Sequence, residues 1–494
     1  MQNLEKLKQE ILKLTREYSS KAHGNNLPGY ESEDRLFVAG ENSIPYAARV
    51  FDADEVEAAV SSMLDFWLTL GPEGEKFEKA LANFLSVKKC LAVNSGSSAN
   101  LVAFNALTSH KLPEEKRIKK GDEVITVAAG FPTTVAPIVQ AGAVPVFLDA
   151  NPITGNVDLT NLEEAYAPDK TRAVMMAHAL GNPFDLKTIV TFCKKYNLWL
   201  IEDNCDALGC SYTIPENSWL KAFYPRSPLN GSGSLTKYTG TWGDISTQSF
   251  YPPHHLTMGE GGAVNIVSNM KLKLAAESFR DWGRDCWCPS GKDNTCNKRF
   301  GWQLGDLPQG YDHKYTYSHL GFNLKPLDPQ AAIGYVQVSK LPRFIKARKD
   351  NWQHLRAGLD EVNEFMDFAL PTHATKWNAD GSFEWDETGC KTDCSWFGFK
   401  MTIKDDAPFT RTELAHHLEN NKIGNRMLFG GNLVRQPAFV NLIKDDPNAF
   451  RVVGELKGAN RIMNNTIFIG TYPGLTNNMK DYMVDTIVKF VKSF

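Results

Sequence analysis

The sequence predicts an α/β protein, with a large domain built on a mainly parallel sheet and a smaller α+β domain after it. Three observations carry this. Between about residues 85 and 270, short β-branched runs alternate with helical segments, the pattern of a parallel sheet covered by helices. Several of those runs end in polar or glycine-bearing turns, where ligands gather in such sheets. After about residue 331 a long helical stretch leads into a mixed tail ending near Phe494.

The 494 residues suit two or three domains. With 42% hydrophobic and 22% charged residues the chain has an ordinary soluble, globular composition. A formal net charge of -3 points to neither a nucleic-acid nor a membrane-surface partner. No apolar run approaches the roughly 20 residues that span a bilayer. The charged start lacks a secretory apolar core, so a cytoplasmic protein is expected. Nine unevenly spaced cysteines without an export signal read as buried thiols plus one metal centre, not as a disulfide framework.

The elements follow in chain order. Leu4, Leu7, Ile11, Leu14 and Tyr18 recur at helical spacing, so an N-terminal helical segment (1–40) should dock on the body or on a partner chain. KKCLAVNSG (88–96) reads as a strand and turn, and SSANLVAFNALT (97–108) as the helix after it. GDEVITVAAGFP (121–132), AVPVFLDA (143–150), TRAVMMAHALG (171–181) and LWLIEDNCDA (198–207) give further strands. Residues 211–240, rich in Pro, Ser and Gly, read as an inserted loop. Residues 278–322 are crowded with Cys, Trp, Tyr, Gly and Asp without a clean period, the mark of a functional loop. The large domain is expected over 41–335 and the small one over 336–494, with a polar excursion at 374–396.

Four stretches bear on chemistry. NSGSSAN (94–100) puts small residues, Gly96, Ser97 and Ser98, at a strand-to-helix turn whose amides suit a phosphate, although a plain capped helix reads the same way. Asp203 closes the LWLIED strand, where a carboxylate can hold a pyridine nitrogen protonated or simply cap a helix. Phe131, in AAGFPTT, can stack on a ring or fill the core. In QSFYPPHHLTMGEGGAV (248–264), His254 and His255 stand between an aromatic-proline turn and a glycine-rich strand start.

Taken in order, VNSGSSAN, GDEVITVAAGFPTTVAPI, AHALGNPFD, IEDNCDALG, TGTWGDISTQSFYP, MGEGGAV and GFNLKPLDPQAAIG (321–334) resemble the DegT/DnrJ/EryC1/StrS family. The likeness runs from SIPYAARVF (43–51) to GTYPGLT (470–476). It implies the aspartate-aminotransferase fold, the type I fold of pyridoxal phosphate enzymes, with a seven-stranded sheet. In that family a lysine holds pyridoxal 5'-phosphate covalently two residues after the Tyr-Pro; here that register falls on His254. Imidazole forms no lasting bond to the aldehyde, so the cofactor implied is pyridoxamine 5'-phosphate, with His254 as the base at its C4′ proton. His255 is expected to be structural. The resemblance also implies that Tyr251 contacts the cofactor or tunes the base, with packing the rival role, and that Ser249 contacts the phosphate. Asn323 and Lys325 would reach phosphate or sugar from the neighbouring subunit of a homodimer, unless they belong to a solvated loop. Arg426 would pair with a substrate diphosphate, where a surface arginine is the rival reading.

The last stretch is DCWCPSGKDNTC (285–296), which spaces Cys286, Cys288 and Cys296 as C-x-C-x7-C. Three thiolates need a fourth ligand to close an iron–sulfur or zinc site. Cys205, two residues after Asp203, is the expected fourth, with Cys210 the alternative. By spacing alone, zinc is the more common outcome for a cysteine cluster. SFRDWGRDCWC, KRFGWQLGDLPQGYDHKYTYSHLG and FGGNLVRQPAF resemble one group, the CDP-4-keto-6-deoxyglucose 3-dehydratases of lipopolysaccharide biosynthesis. That likeness implies a [2Fe-2S] cluster, a CDP-linked 4-keto-6-deoxyhexose substrate that loses its C3 hydroxyl, and an NADH-dependent flavin/iron–sulfur reductase as partner. The nucleotide rests on the resemblance alone. A redox-independent dehydratase or aminotransferase-like enzyme of the same fold is the alternative; a catalytically dead scaffold is a third reading. The 211–240 and 374–396 segments depart from the group as additions.

Overall fold

The computed structural model describes residues 2–23, 27–28, 37–224, 233–288 and 292–494. Parts of three expected features lie outside the described residues: 24–26 and 29–36 of the N-terminal segment, 225–232 of the first insertion, and 289–291 of the cysteine loop.

The large domain supplies strands β1 (Lys89–Val93), β2 (Glu123–Val127), β3 (Val144–Leu148), β4 (Thr171–Ala177), β5 (Trp199–Asp203), β6 (Ser211–Ile214), β7 (Leu235–Tyr238), β8 (Ile245–Ser249) and β9 (Gly262–Ile266). Seven of them, all but β6 and β7, build the expected sheet, in which β9 alone runs against its neighbours β1 and β8. The β-branched runs read as continuous apolar stretches because helices cover the sheet, and β2 and β5 are buried at every residue. An eighth strand, Arg451–Val452, arrives from the C-terminal part and pairs in parallel with β3. It covers an edge that would otherwise expose unpaired backbone groups. Its neighbours Phe439, Phe450 and Val453 join the large-domain core, so the sheet of seven becomes one of eight through tertiary contact.

Helices α1 (Gln2–His23), α2 (Ala53–Asp65), α3 (Pro72–Leu85) and α4 (Gly96–Ala106) precede α5 (Pro132–Gln140). The five-member apolar stripe read in α1 largely faces away from the body: Leu4, Leu14 and Tyr18 are 72%, 65% and 70% exposed. The body-facing side instead buries Leu12 and Ser19 and pairs Lys8 with Asp65 and Arg16 with Asp54 and Glu57.

A 31-residue helix, Asp328–Gly358, contains the limit expected between residues 335 and 336, and both domains pack on it. The small domain centres on a four-stranded antiparallel sheet formed by Met366–Phe368, Gly398–Ile403, Thr466–Gly470 and Asn425–Met427. Trp352 of the long helix stacks on Trp396 beneath it, ring centres 4.8 Å apart.

The reading of 211–240 as a plain loop is corrected. Its ends form β6 and β7, and Lys391–Asp393 of the 374–396 excursion pairs with β6 to make a three-stranded sheet. The two insertions are therefore one structural element. Tyr212, Ile214 and Leu235 supply the alternating buried positions, and the hydroxyls of Thr213 and Thr236 meet across the strands at 2.8 Å. Proline and glycine in the intervening residues hid two short strands. Among the described residues no helix is long and apolar enough to cross a membrane.

Candidate active site

A cavity of about 590 Å³ opens at the carboxyl ends of the central strands, between the large-domain sheet and the small domain. Asp203 lies at its floor, at the end of β5. One carboxylate oxygen accepts the Asn100 amide at 2.8 Å and the Thr134 hydroxyl at 2.7 Å, and the other accepts the Cys205 backbone N–H at 3.2 Å. This buried carboxyl is thus held in one orientation by α4 and α5.

The first turn of α4 forms one wall, with Gly96 and Ser97 at the cavity. Ser95 caps this helix by accepting the Ser98 amide, which makes Ser98 part of the cap, while the Ser97 hydroxyl donates to Thr133. Gly96 is required: a Cβ there would stand 2.4 Å from the Ser249 Cβ. Gly262 explains the glycine-rich strand start in the same way, since a Cβ would lie 2.3 Å from the Ser95 carbonyl oxygen. Two strands and a helix end can therefore crowd around a small anion, which the helix N-terminus favours.

His254 sits in the turn between β8 and β9, its amide donating to the Tyr251 carbonyl at 2.9 Å. Its Nε2 faces Asp206 at 3.5 Å, and the Phe397 ring flanks it with centres 5.3 Å apart. Among the described residues its buried Nδ1 has no hydrogen-bond partner. Burial pushes the Asp206 carboxyl up, opposed by the imidazole beside it. His255 does not line the cavity. Its Nε2 lies 2.6 Å from the Ser395 carbonyl, and burial together with the Arg348 charge drives its pKa well below the usual range, so it is a neutral donor. At the opposite rim the Arg426 guanidinium lies over the Tyr46 ring at 4.2 Å, and Phe131 meets Phe429 edge to face.

The sequence matches the model of the DegT/DnrJ/EryC1/StrS aminotransferase family over residues 50–488. The chain belongs to that family. It is 47% identical over 484 residues, 98% of both chains, to lipopolysaccharide biosynthesis protein RfbH of Salmonella typhimurium. It is 43% identical over 461 residues to dTDP-4-dehydro-2,6-dideoxy-D-glucose 3-dehydratase of Saccharopolyspora spinosa, covering 93% of this chain and 89% of that protein. Among solved structures, GDP-4-keto-6-deoxy-D-mannose-3-dehydratase of E. coli with bound hydrated PLP superposes with a TM-score of 0.72 at 25% identity, covering 90% of this chain and 99% of that one.

The cavity suits the B6 cofactor of the DegT/DnrJ/EryC1/StrS fold. It offers a fixed carboxylate, a helix-end cradle that a Cβ would fill, and the His254 imidazole in its lining. The structure brings Gly96, Ser97, Phe131 and Asp203 to it, together with Ser249, His254, Arg426 and Cys205. Tyr251 stands outside, 46% exposed, with its ring 6.3 Å from that of His254. Asn323 and Lys325 also lie outside this cavity. Lys325 donates to Asn323 at 2.8 Å and covers the Trp282 ring at 3.6 Å.

The four expected metal ligands are not brought together. Cys286, Cys288 and Cys296 are neighbours in their loop: burial and contact with Cys288 push the Cys286 thiol up to about 11. For Cys288, hydrogen bonds from Thr295 and Cys286 outweigh burial and hold its thiol below the ordinary value. Cys205 lies at the cavity floor, where burial and the carboxyls of Asp203 and Asp206 raise its thiol well above the usual range. Among the described residues no contact joins it to the loop thiols, and no group of three His, Cys, Asp or Glu is arranged to hold a metal ion. Nor does the alternative join them: Cys210 donates to the Gly181 carbonyl at 3.0 Å and accepts the Ser395 amide. The donor set for a four-thiolate cluster is therefore incomplete in this arrangement, and no chemical step is derived through it.

Four site residues escaped the sequence reading. Asn100, Thr134 and Asp206 all lie inside quoted motifs, and Tyr46 lies in SIPYAARVF. The second aspartate of IEDNCDA was the signal for Asp206.

Proposed function

We propose that the protein is a B6-dependent dehydratase that removes the C3 hydroxyl of a nucleotide-linked 4-keto-6-deoxyhexose. One observation carries the reading: a histidine, not a lysine, faces the cavity next to the fixed Asp203, and among the described residues no lysine lines it. Bound pyridoxamine phosphate supplies an amine to condense with the ketone and a ring that takes up electrons when its C4′ proton leaves.

The chain's own groups would do the rest. Asp203, aimed by Asn100 and Thr134, holds the proton on the pyridine nitrogen. The α4 turn and Ser249 seat the phosphate, and Phe131 covers the ring. His254 moves the proton at C4′, and Asp206 supports the charge the imidazole then carries. Tyr251, 6.3 Å from that ring, is a candidate for tuning it. Arg426 holds the diphosphate at the rim. Asn323 and Lys325 serve the cavity of a second copy in a homodimer.

The finer reading is a CDP-linked sugar, a [2Fe-2S] centre at Cys286, Cys288 and Cys296 with Cys205, and electrons from an NADH-dependent flavin/iron–sulfur reductase, on the route to 3,6-dideoxyhexoses of lipopolysaccharide O-antigen in the cytoplasm. The C-x-C-x7-C spacing of the loop thiols supports it; that among the described residues no three metal-ligating side chains come together counts against its four-thiolate form. The relatives are named for dTDP- and GDP-linked sugars, so nucleotide choice needs direct comparison.

The test incubates the protein with pyridoxamine phosphate, such a reductase, NADH and the CDP-, dTDP- or GDP-linked 4-keto-6-deoxyhexose, and reads products by mass spectrometry. A product lighter by one oxygen is expected. An amino sugar formed with glutamate as donor would establish the aminotransferase-like alternative instead. Iron and acid-labile sulfide analysis of anaerobically purified protein decides the cluster.

A further inference from the structure

We propose that Arg348, a residue outside the cavity, is the positioning residue that fixes where the His254 imidazole stands. This rests on the reading of His254 as the base. Arg348 lies mid-way along the Asp328–Gly358 helix and is 1% exposed. Its Nη2 donates to the carbonyls of Pro253, at 3.2 Å, and His254, at 3.0 Å. Its Nη1 donates to those of Trp396, at 3.2 Å, and Phe397, at 3.3 Å. A buried guanidinium ordinarily faces a carboxylate. This one spans four backbone carbonyls from two distant segments.

Both segments border the imidazole. One is the turn that bears His254, and the other carries Phe397, whose ring flanks it. The turn needs an outside tie because Pro252 and Pro253 contribute no amides. Its internal support includes the His254 amide on the Tyr251 carbonyl. His255 adds one further tie, to the Ser395 carbonyl. A planar fork can serve two pairs of carbonyls at once, which a lysine ammonium cannot. The guanidinium therefore sets the distance between the base and the wall beside it. It also links that distance to the small domain, since Phe397 leads directly into the strand Gly398–Ile403.

The experiment uses the full-length protein loaded with pyridoxamine phosphate, as wild type, Arg348→Lys and Arg348→Gln. It reads kcat and KM for the 4-keto sugar, the cofactor Kd, and the His254 ring resonance in protein carrying labelled histidine, assigned by its loss in His254→Asn. We expect kcat to fall about 10²-fold, the cost of a misplaced reacting group of about 1 Å. KM and the cofactor Kd should stay near wild type, and the His254 resonance should move in both variants. An unchanged resonance with unchanged kcat in a folded variant overturns the proposal. So does a parallel loss of kcat, KM, cofactor binding and thermal stability, which marks a merely structural residue. A wild type inactive on every 4-keto sugar tried would fail the functional reading alone, because the resonance still reports whether Arg348 places the ring.

Discussion

The histidine turn and the cysteine loop are the two departures that give this sequence its chemistry, and the structure treats them in opposite ways. The histidine turn is tied on every side. β8 and β9 fix its ends, Asp206 faces its imidazole, Arg348 takes its carbonyls, and His255 anchors it from behind. The cysteine loop carries three thiols close in sequence, and its described residues form neither helix nor strand. It is steadied mainly by ion pairs such as Lys111 with Asp285 and Arg299 with Asp312. A proton transfer needs its base at one place before substrate arrives. A thiolate site can take its final shape as its ligand binds. The difference is between a group positioned in advance by rigid elements and one left on adaptable chain.

The sharpest way to break the comparison is to remove the proposed base. His254→Asn should lower turnover about 10²- to 10⁴-fold while pyridoxamine phosphate still binds, measured by cofactor absorbance on the filtered protein. A variant that keeps its rate would mean the turn is ordered for some other purpose. A smaller effect sharpens the other side. In metal-free protein, Cys288 should be alkylated first and Cys286 later, while Cys205 and Cys210 react only on unfolding, as mapped by mass spectrometry of peptides. Burial pushes Cys210 up to about 12, so early modification there would contradict the picture of two separate thiol populations.

The smallest effect belongs to a third region, which should leave both loops unchanged. His373 joins the insertions to the body: its Nε2 meets the Tyr212 hydroxyl at 2.7 Å and its Nδ1 the Asp386 carboxylate at 2.8 Å. Burial lowers its pKa, but Asp185 and Asp386 outweigh that and raise it above 6.5. Asp185, although buried, is held down at about 2 by the same imidazole. The histidine's contribution to stability is complete below 6.5 and fades as pH rises through its raised folded value; that of Asp185 is complete above 3.8 and fades as pH falls towards 2. His373→Gln should cost about 1–3 kcal/mol between those limits and less outside them, measured as the melting-temperature difference across pH. Turnover should follow wild type.

Sequence patterns fixed what depends on near neighbours. Alternating apolar runs marked six of the large-domain elements, because strand and helix periods repeat within a few residues. The small residues of NSGSSAN and the glycines of MGEGGAV marked backbone that must approach closely. The imidazole at position 254 excluded a covalent tether by its chemistry alone. Only the tertiary structure could pair Ser211–Ile214 with Lys391–Asp393, place Thr134 on Asp203 from 69 residues away, set Arg348 under a turn 94 residues earlier, and bury Cys205 beside Asp203 and Asp206. The physical reason is range: helix and strand periods act over a few positions, whereas a hydrogen bond or a thiol contact depends on how separate elements pack, which no local spacing encodes.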